Sequence, residues 1–115
     1  MKTSHLPGVT PFQHRVYEAI SRIPRGRVAT YAAVARTIGC GSARAVGQAL
    51  RVNPFAPEVP CHRVIASDLS PGGFQGGRVG VVIRRKLALL AGEGVEFVDG
   101  RLADVRKRFD FVRPS

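Results

Sequence analysis

The sequence predicts a mainly α fold, a winged-helix-like helix-turn-helix domain with a small β element and a glycine-rich loop. Three observations carry that prediction. Two short helical segments, 31–38 and 43–52, are separated by a few residues containing glycine, which is the outline of a helix-turn-helix. A longer amphipathic helix precedes them, and another follows a loop with five glycines between Ser67 and Gly80. Extended segments are few and short, as in "EVPCHRVIA" (58–66) and "VEFVDGRL" (95–102).

Taken in order, "TPFQHRVYEAISRIPRG" reads as the first helix. Thr10 is its cap, Pro11 suits the first helical position, and Gln13 completes a capping box. Phe12, Val16, Ile20 and Ile23 recur at helical spacing, and Pro24 and Gly26 end the run. "TYAAVARTIG" is capped by Thr30 and stopped by Gly39; "GSARAVGQALRVNP" is capped by Ser42, with Pro54 beyond its end. On that second helix Ala45, Val46, Ala49 and Leu50 suit a core, whereas Arg44, Gln48 and Arg51 fall on the opposite face. A small, polar-basic face of this kind suits a groove of duplex DNA, although any two short helices around a glycine turn share the outline. "EVPCHRVIA" is extended or irregular. "VVIRRKLALLAGEG" is helical, with Ile83, Leu87 and Leu90 on one face and Gly92 or Gly94 as terminator. A hairpin is expected around Asp99-Gly100, and the end of the chain is basic with Phe109 and Phe111 interleaved.

A length of 115 residues suits one domain, 1–115, with a core from about 10 to 100 and a basic tail from 101 to 115. An apolar fraction of 44% is too high for a disordered chain. No apolar run approaches the roughly 20 residues needed to span a bilayer, and the N-terminal segment lacks a signal-peptide pattern, so a cytoplasmic location is expected. Eighteen Lys and Arg against eight Asp and Glu give a net charge of +10, a field that favours polyanions, nucleic acid first. Only three of those bases are lysine. Arginine is the better partner for bidentate and stacked contacts to phosphate and base. The two cysteines, Cys40 and Cys61, do not form a disulfide framework, and the scattered His5, His14 and His62 do not give metal-ligand spacing. No metal and no cofactor are expected.

The sharpest chemical signal is Cys61-His62. A thiolate is the reactive form of cysteine, and a neighbouring histidine favours it. Adjacent side chains on an extended segment point to opposite faces, so the pair needs a kinked backbone or a bridging water. On spacing alone, a buried inert cysteine beside a surface histidine is the favoured reading.

The wider sequence changes that balance. "PCHRVI" (60–65) strongly resembles the active-site signature of the 6-O-alkylguanine-DNA alkyltransferase family. "FQHRVYEAISRIPRGRVATYAAVA" resembles the start of that family's DNA-binding domain, and "SARAVGQALRVNP" its recognition helix and asparagine hinge. "GGFQGG" resembles its active-site loop and "RRKLALLAGEGV" its closing helix, so the likeness runs in order from about Phe12 to Val95. It implies direct reversal of DNA damage in a single turnover, without a cofactor. Cys61 would take the alkyl group from a flipped guanine. His62 would act through a water as base, and Glu93 would orient His62. Asn53 would tie the recognition helix to the active-site turn, and Tyr31 would crowd the phosphate and donate a proton to the leaving guanine. Arg44 would fill the vacated stack. Gln48, Arg51, Ser42 and Ala43 complete the expected DNA-contacting set, and Val64, Phe74, Gln75 and Gly76 the base pocket. The implied partner is double-stranded DNA containing 6-O-alkylguanine, met by a monomer without membrane contact.

The chain departs from the family pattern in three places. The likeness starts near residue 10, so the N-terminal domain of full-length members is not expected. Phe74 stands where tyrosine is usual. The segment around "RVGVV" is about five residues longer than the common spacing. A short chain ending in "LLAGEGVEFVDGRL" also resembles the alkyltransferase-like proteins, which bind alkylated DNA without transfer, recruit excision repair, and usually hold Trp or Ala where this chain has Cys61. Lesion sensing is therefore the second reading. A plain helix-turn-helix regulator is the third, and it leaves Cys61, His62 and Glu93 unexplained. Under the transfer reading Cys61 is expected to be partly shielded at the mouth of a small pocket, more reactive than Cys40, with its pKa below the reference of about 8.5.

Overall fold

The structure, a computed structural model, describes residues 8–72 and 80–111. Helix α1 (Pro11–Ile20) starts at a complete capping box: Gln13 N donates to Thr10 Oγ1 and Thr10 N to Gln13 Oε1, each at 3.0 Å. The helix stops at Ile20, before Pro24, because proline disfavours the helical region for the residue ahead of it. Ser21–Ile23 continue as tighter turns, with Ile23 N bonded to Ile20 O, and Ile23 still reaches the core. Strand β1 (Ala29–Thr30) leads directly into α2 (Tyr31–Thr37), capped by the Thr30 hydroxyl. Gly39, at φ 73°, turns the chain into α3 (Ala43–Arg51), capped by Ser42. Val16, Tyr17, Ile20, Val34, Val46, Ala49 and Leu50 from α1, α2 and α3 share one buried core. The Tyr17 hydroxyl satisfies its buried oxygen by donating to Ala49 O at 2.8 Å, which fixes α1 against α3.

The remaining elements frame that bundle. A 3₁₀ turn (Cys61–Arg63) enters β2 (Val64–Ile65), which pairs in parallel with β1 in the register Ala29–Val64 and Thr30–Ile65. Helix α4 (Gly80–Ala91) packs against that turn. Strands β3 (Phe97–Val98) and β4 (Arg101–Leu102) form the antiparallel hairpin. Its two loop residues, Asp99 and Gly100, both have positive φ (52° and 80°), the requirement of a type I′ turn. A second core of Val28, Ile65, Leu90, Val95 and Leu102 joins hairpin, α4 and small sheet. The segment read as a basic tail packs back: Val28 and Arg108 form a β-bridge, Phe109 N donates to Val28 O at 2.7 Å, and Arg22 stacks on Phe111.

The apolar face assigned to α4 needs correction. Leu90 is fully buried, but Ile83 and Leu87 are half-buried, and the other fully buried residue of the helix is Lys86. The packed stripe is Val82–Lys86–Leu90, at intervals of four, not Ile83–Leu87–Leu90.

Candidate active site and nucleic-acid interface

The reactive turn is made by local geometry. Pro60 has φ −84° and ψ 69°, an inverse γ-turn, and Cys61 N donates across it to Val59 O at 2.8 Å. The 3₁₀ turn follows at once, with Arg63 N bonded to Pro60 O. This double bend removes the strand-like alternation of Cys61 and His62, and both side chains go inward: Cys61 is 5% exposed and His62 3%.

Asn53, two residues past α3, reads the turn from the other side. Its Nδ2 donates to Val59 O and its Oδ1 accepts from Phe55 N, both at 2.9 Å. The same carboxamide also reaches Cys61 and favours its thiolate. Glu93 enters from the end of α4. Val95 N bonds to Leu90 O and Gly94 N to Ala91 O, with Gly94 at φ 83°, so the helix closes in a Schellman motif that presents Glu93. The Val95–Leu90 packing in the second core completes that motif. Arg25 donates to Gly92 O at 2.8 Å and holds the same corner to the loop after α1.

Glu93 Oε2 lies 2.9 Å from His62 Nε2. Burial alone would raise the Glu93 carboxyl, but hydrogen bonds from Arg63 and His62 outweigh it and bring its pKa to about 2. An ionised Glu93 makes Nε2 the donor, which leaves Nδ1 of His62 as the proton acceptor. Burial holds the His62 imidazole below its ordinary pKa despite Glu93, so the ring is neutral at pH 7. Arg63, to which the sequence pattern assigns no role, grips both Glu93 oxygens through Nε (2.9 Å) and Nη2 (3.0 Å) and donates to Ile23 O through Nη1. Its position directly after Cys61-His62 was the available signal.

The thiol differs from expectation. Burial pushes the Cys61 pKa above its ordinary value and outweighs Asn53, Lys86 and the nearby backbone N–H groups, which all favour the thiolate. Cys61 thus rests as a thiol. Cys40 lies half-buried in the turn between α2 and α3, where its sulfur accepts from Ser42 N at 3.4 Å.

Arg44, Gln48 and Arg51 are exposed along α3, beside the capping Ser42 and half-buried Ala43. Tyr31, at the first turn of α2, lies against Gly72. A Cβ there would sit 3.1 Å from Tyr31 Cε2 and 3.3 Å from its hydroxyl, and Gly72 has φ 72°. Val64 is fully buried on β2. The structure therefore gathers Cys61, His62, Glu93, Asn53 and Val64 around one turn and leaves the α3 residues on an outer face. Phe74, Gln75 and Gly76 lie outside the described residues. Among the described residues, no group of three or more His, Cys, Asp or Glu side chains is placed to hold a metal ion.

A helix-turn-helix unit whose second helix is tied by an asparagine to a turn holding a buried Cys61, His62 and Glu93 defines a DNA-binding domain with a shielded cysteine behind its second helix. Residues 11–95 match the family described as 6-O-methylguanine DNA methyltransferase, DNA binding domain, and the chain belongs to that family. A methylated-DNA–protein-cysteine methyltransferase of Methanothermobacter thermautotrophicus is 48% identical over 88 residues, 76% of this chain and 47% of that protein. The chain spans about half the length of the curated relatives it matches. The crystal structure of Mycobacterium tuberculosis OGT in complex with DNA superposes with a TM-score of 0.66 at 47% identity, covering 73% of this chain and 50% of that one. Atl1 of S. pombe, in complex with damaged DNA containing O6-carboxymethylguanine, superposes with a TM-score of 0.75 at 29% identity, covering 96% of this chain and 99% of that one.

Proposed function

We propose that this protein repairs DNA by direct reversal: it flips 6-O-alkylguanine out of the duplex and moves the alkyl group irreversibly to Cys61. The observation that carries this reading is the buried Cys61 thiol on a turn shared with His62, whose ring is oriented by an ionised Glu93 at 2.9 Å.

The alkylated oxygen is hidden inside a duplex, so the base must leave the stack at a cost of a few kcal/mol. Arg44, exposed on α3, stacks in the vacancy and offsets part of that cost, while Gln48, Arg51 and the start of the helix at Ser42 and Ala43 meet the backbone and groove. His62 Nδ1, through a water, takes the thiol proton as the sulfur attacks. The new bond is sulfur to alkyl carbon, and the bond broken is that carbon to the guanine oxygen. The departing guanine carries the electron pair and is neutralised by a proton, with the Tyr31 hydroxyl as donor. Overall, thiol and alkylguanine become thioether and guanine: the base keeps the Tyr31 proton, and the proton that His62 took from sulfur returns through solvent to the Tyr31 oxygen, which restores both side chains. Val64 and the segment holding Phe74, Gln75 and Gly76 read the base edge. The thioether has no route back, so each chain acts once, as a monomer on DNA in the cytoplasm.

Lesion sensing followed by recruitment of excision-repair proteins is the alternative, favoured by the near full-length likeness to S. pombe Atl1. The two readings separate in one experiment: incubation with a duplex containing 6-O-methylguanine, then mass mapping of the Cys61 peptide. Methylated Cys61 supports transfer. Tight lesion binding with Cys61 unchanged supports sensing.

A further inference from the structure

Lys86 has no role in the chemistry described so far, yet it is among the most deeply buried side chains of the protein, with no exposed surface. Burying an ammonium group is costly unless hydrogen bonds replace its water, and a methionine fills similar space without that cost. The bonds that replace the water identify what the lysine holds. Nζ donates to Val64 O at 2.6 Å and to Pro71 O at 2.5 Å. Val64 directly follows the reactive turn, and Pro71 opens the glycine-rich segment. The Tyr31 ring centroid lies 5.9 Å from the same nitrogen. One amine thus touches the strand after the nucleophile, the start of the loop and the helix that carries the expected proton donor.

We propose that Lys86 is a positioning residue of alkyl transfer: it clamps Val64 to Pro71, sets the gap into which the flipped base fits, and places a positive charge behind Cys61. This rests on the transfer reading above. Two facts beyond the clamp agree with it. Gly72, next to Pro71, lies so close to Tyr31 that a Cβ there would sit 3.1 Å from its ring, so the loop start is held between the Lys86 bond and the Tyr31 ring. The charge of Lys86 also favours the Cys61 thiolate and the neutral His62, the forms that the reaction needs. Burial depresses the lysine to about 7, with Cys61 opposing that shift, so its charge is poised to respond to the state of the sulfur. Among the described residues, the titratable groups that face it are Cys61 and His62 on the turn and Tyr31 on α2.

The test compares the whole chain with Lys86→Met, which has neither charge nor donor, and Lys86→Gln, which keeps a donor without charge. Each is checked by thermal melting and by binding to unmodified duplex, which should stay within about twofold because the α3 face is untouched. Single-turnover transfer is measured over a range of lesion-duplex concentrations. Iodoacetamide labelling of Cys61 is measured against pH by peptide mass, with Cys40 as internal control. Lys86→Met should slow saturated transfer by about 10- to 100-fold, raise the half-saturating concentration of lesion duplex, and move the Cys61 labelling profile to higher pH, with Cys40 unmoved. Lys86→Gln should recover half-saturation but not the labelling profile. A folded Lys86→Met protein with transfer within about threefold of wild type and an unmoved profile overturns the proposal. Should that variant not fold, ¹³Cε-lysine spectra of the wild type decide, since the chain has only Lys2, Lys86 and Lys107 to assign. A lysine that titrates near neutrality and shifts on Cys61→Ser supports the clamp; one that titrates as Lys107 does, with no response to Cys61→Ser, overturns it. Labelling and spectra do not require transfer, so a wild type that fails to transfer removes the transfer reading alone.

Discussion

At the scale of single residues, the site is organised around Glu93. It is a carboxylate with an 8% exposed side chain that receives three hydrogen bonds from two neighbours, one from His62 and two from Arg63. Its pKa falls from an ordinary 4.5 to about 2. A depressed carboxylate contributes stability that is fully present above its unfolded pKa and is lost as pH falls through its folded one. The expected contribution is roughly 3 kcal/mol, disappearing between about pH 4.5 and pH 2. Urea unfolding of the wild type and of Glu93→Gln at pH 6 and pH 3 measures it: the gap between the two proteins should narrow at the lower pH. A gap that stays constant would mean that the carboxylate is not held in the ionised pair. Arg44 poses a separate question at the same scale. If the guanidinium acts in the vacated stack and not on phosphate, Arg44→Ala should reduce the preference for lesion over unmodified duplex by about tenfold or more, and unmodified binding by less. Equal losses in both, read by fluorescence anisotropy, would assign it to the backbone instead.

At the scale of elements, the geometry that aims Glu93 is the Schellman end of α4. Gly94 at φ 83° has few alternatives among the amino acids. Gly94→Ala should cost about 1–2 kcal/mol in the thermal melt and slow transfer further than that loss of stability explains, since it displaces the residue beside it. Unchanged transfer in a destabilised Gly94→Ala protein would show that the helix end does not set the relay. Much at this scale was legible in advance. Thr10-Pro11-Gln13, Thr30 and Ser42 marked three helix starts, and Asp99-Gly100 a hairpin, because caps and turns obey local rules that a single sequence displays. What stayed hidden depended on distant partners. The burial of Lys86 is set by two carbonyls, 15 and 22 residues away, and the sequence pattern offered Ile83 and Leu87 as apparently better core residues. Arg63 likewise acquires its role only when Glu93, 30 residues on, comes within 3 Å. The direction of the Cys61 shift was misjudged for a related reason, since how much water the turn excludes is decided by the packing of α1, α3 and α4 around it.

At the scale of the whole molecule, the net charge of +10 is the dominant long-range feature. If five or six basic side chains meet phosphates, log K for duplex binding should fall by about 5 per decade of salt. A nearly flat salt dependence would leave the charge without that role. Among the described residues, no helix is long and apolar enough to cross a membrane. The assembly as a whole places a basic helix outside and a shielded thiol inside, linked by Asn53 between the end of α3 and the turn. The fate of that thiol separates transfer from sensing. The most direct measurement is incubation of the protein with an equimolar duplex carrying 6-O-methylguanine, followed by peptide mass mapping. Alkyl transfer gives a gain of one methylene mass on the peptide holding Cys61, stoichiometric with the guanine restored, and no gain on the peptide holding Cys40. A lesion duplex bound tightly and recovered unrepaired, with Cys61 unmodified, would contradict it.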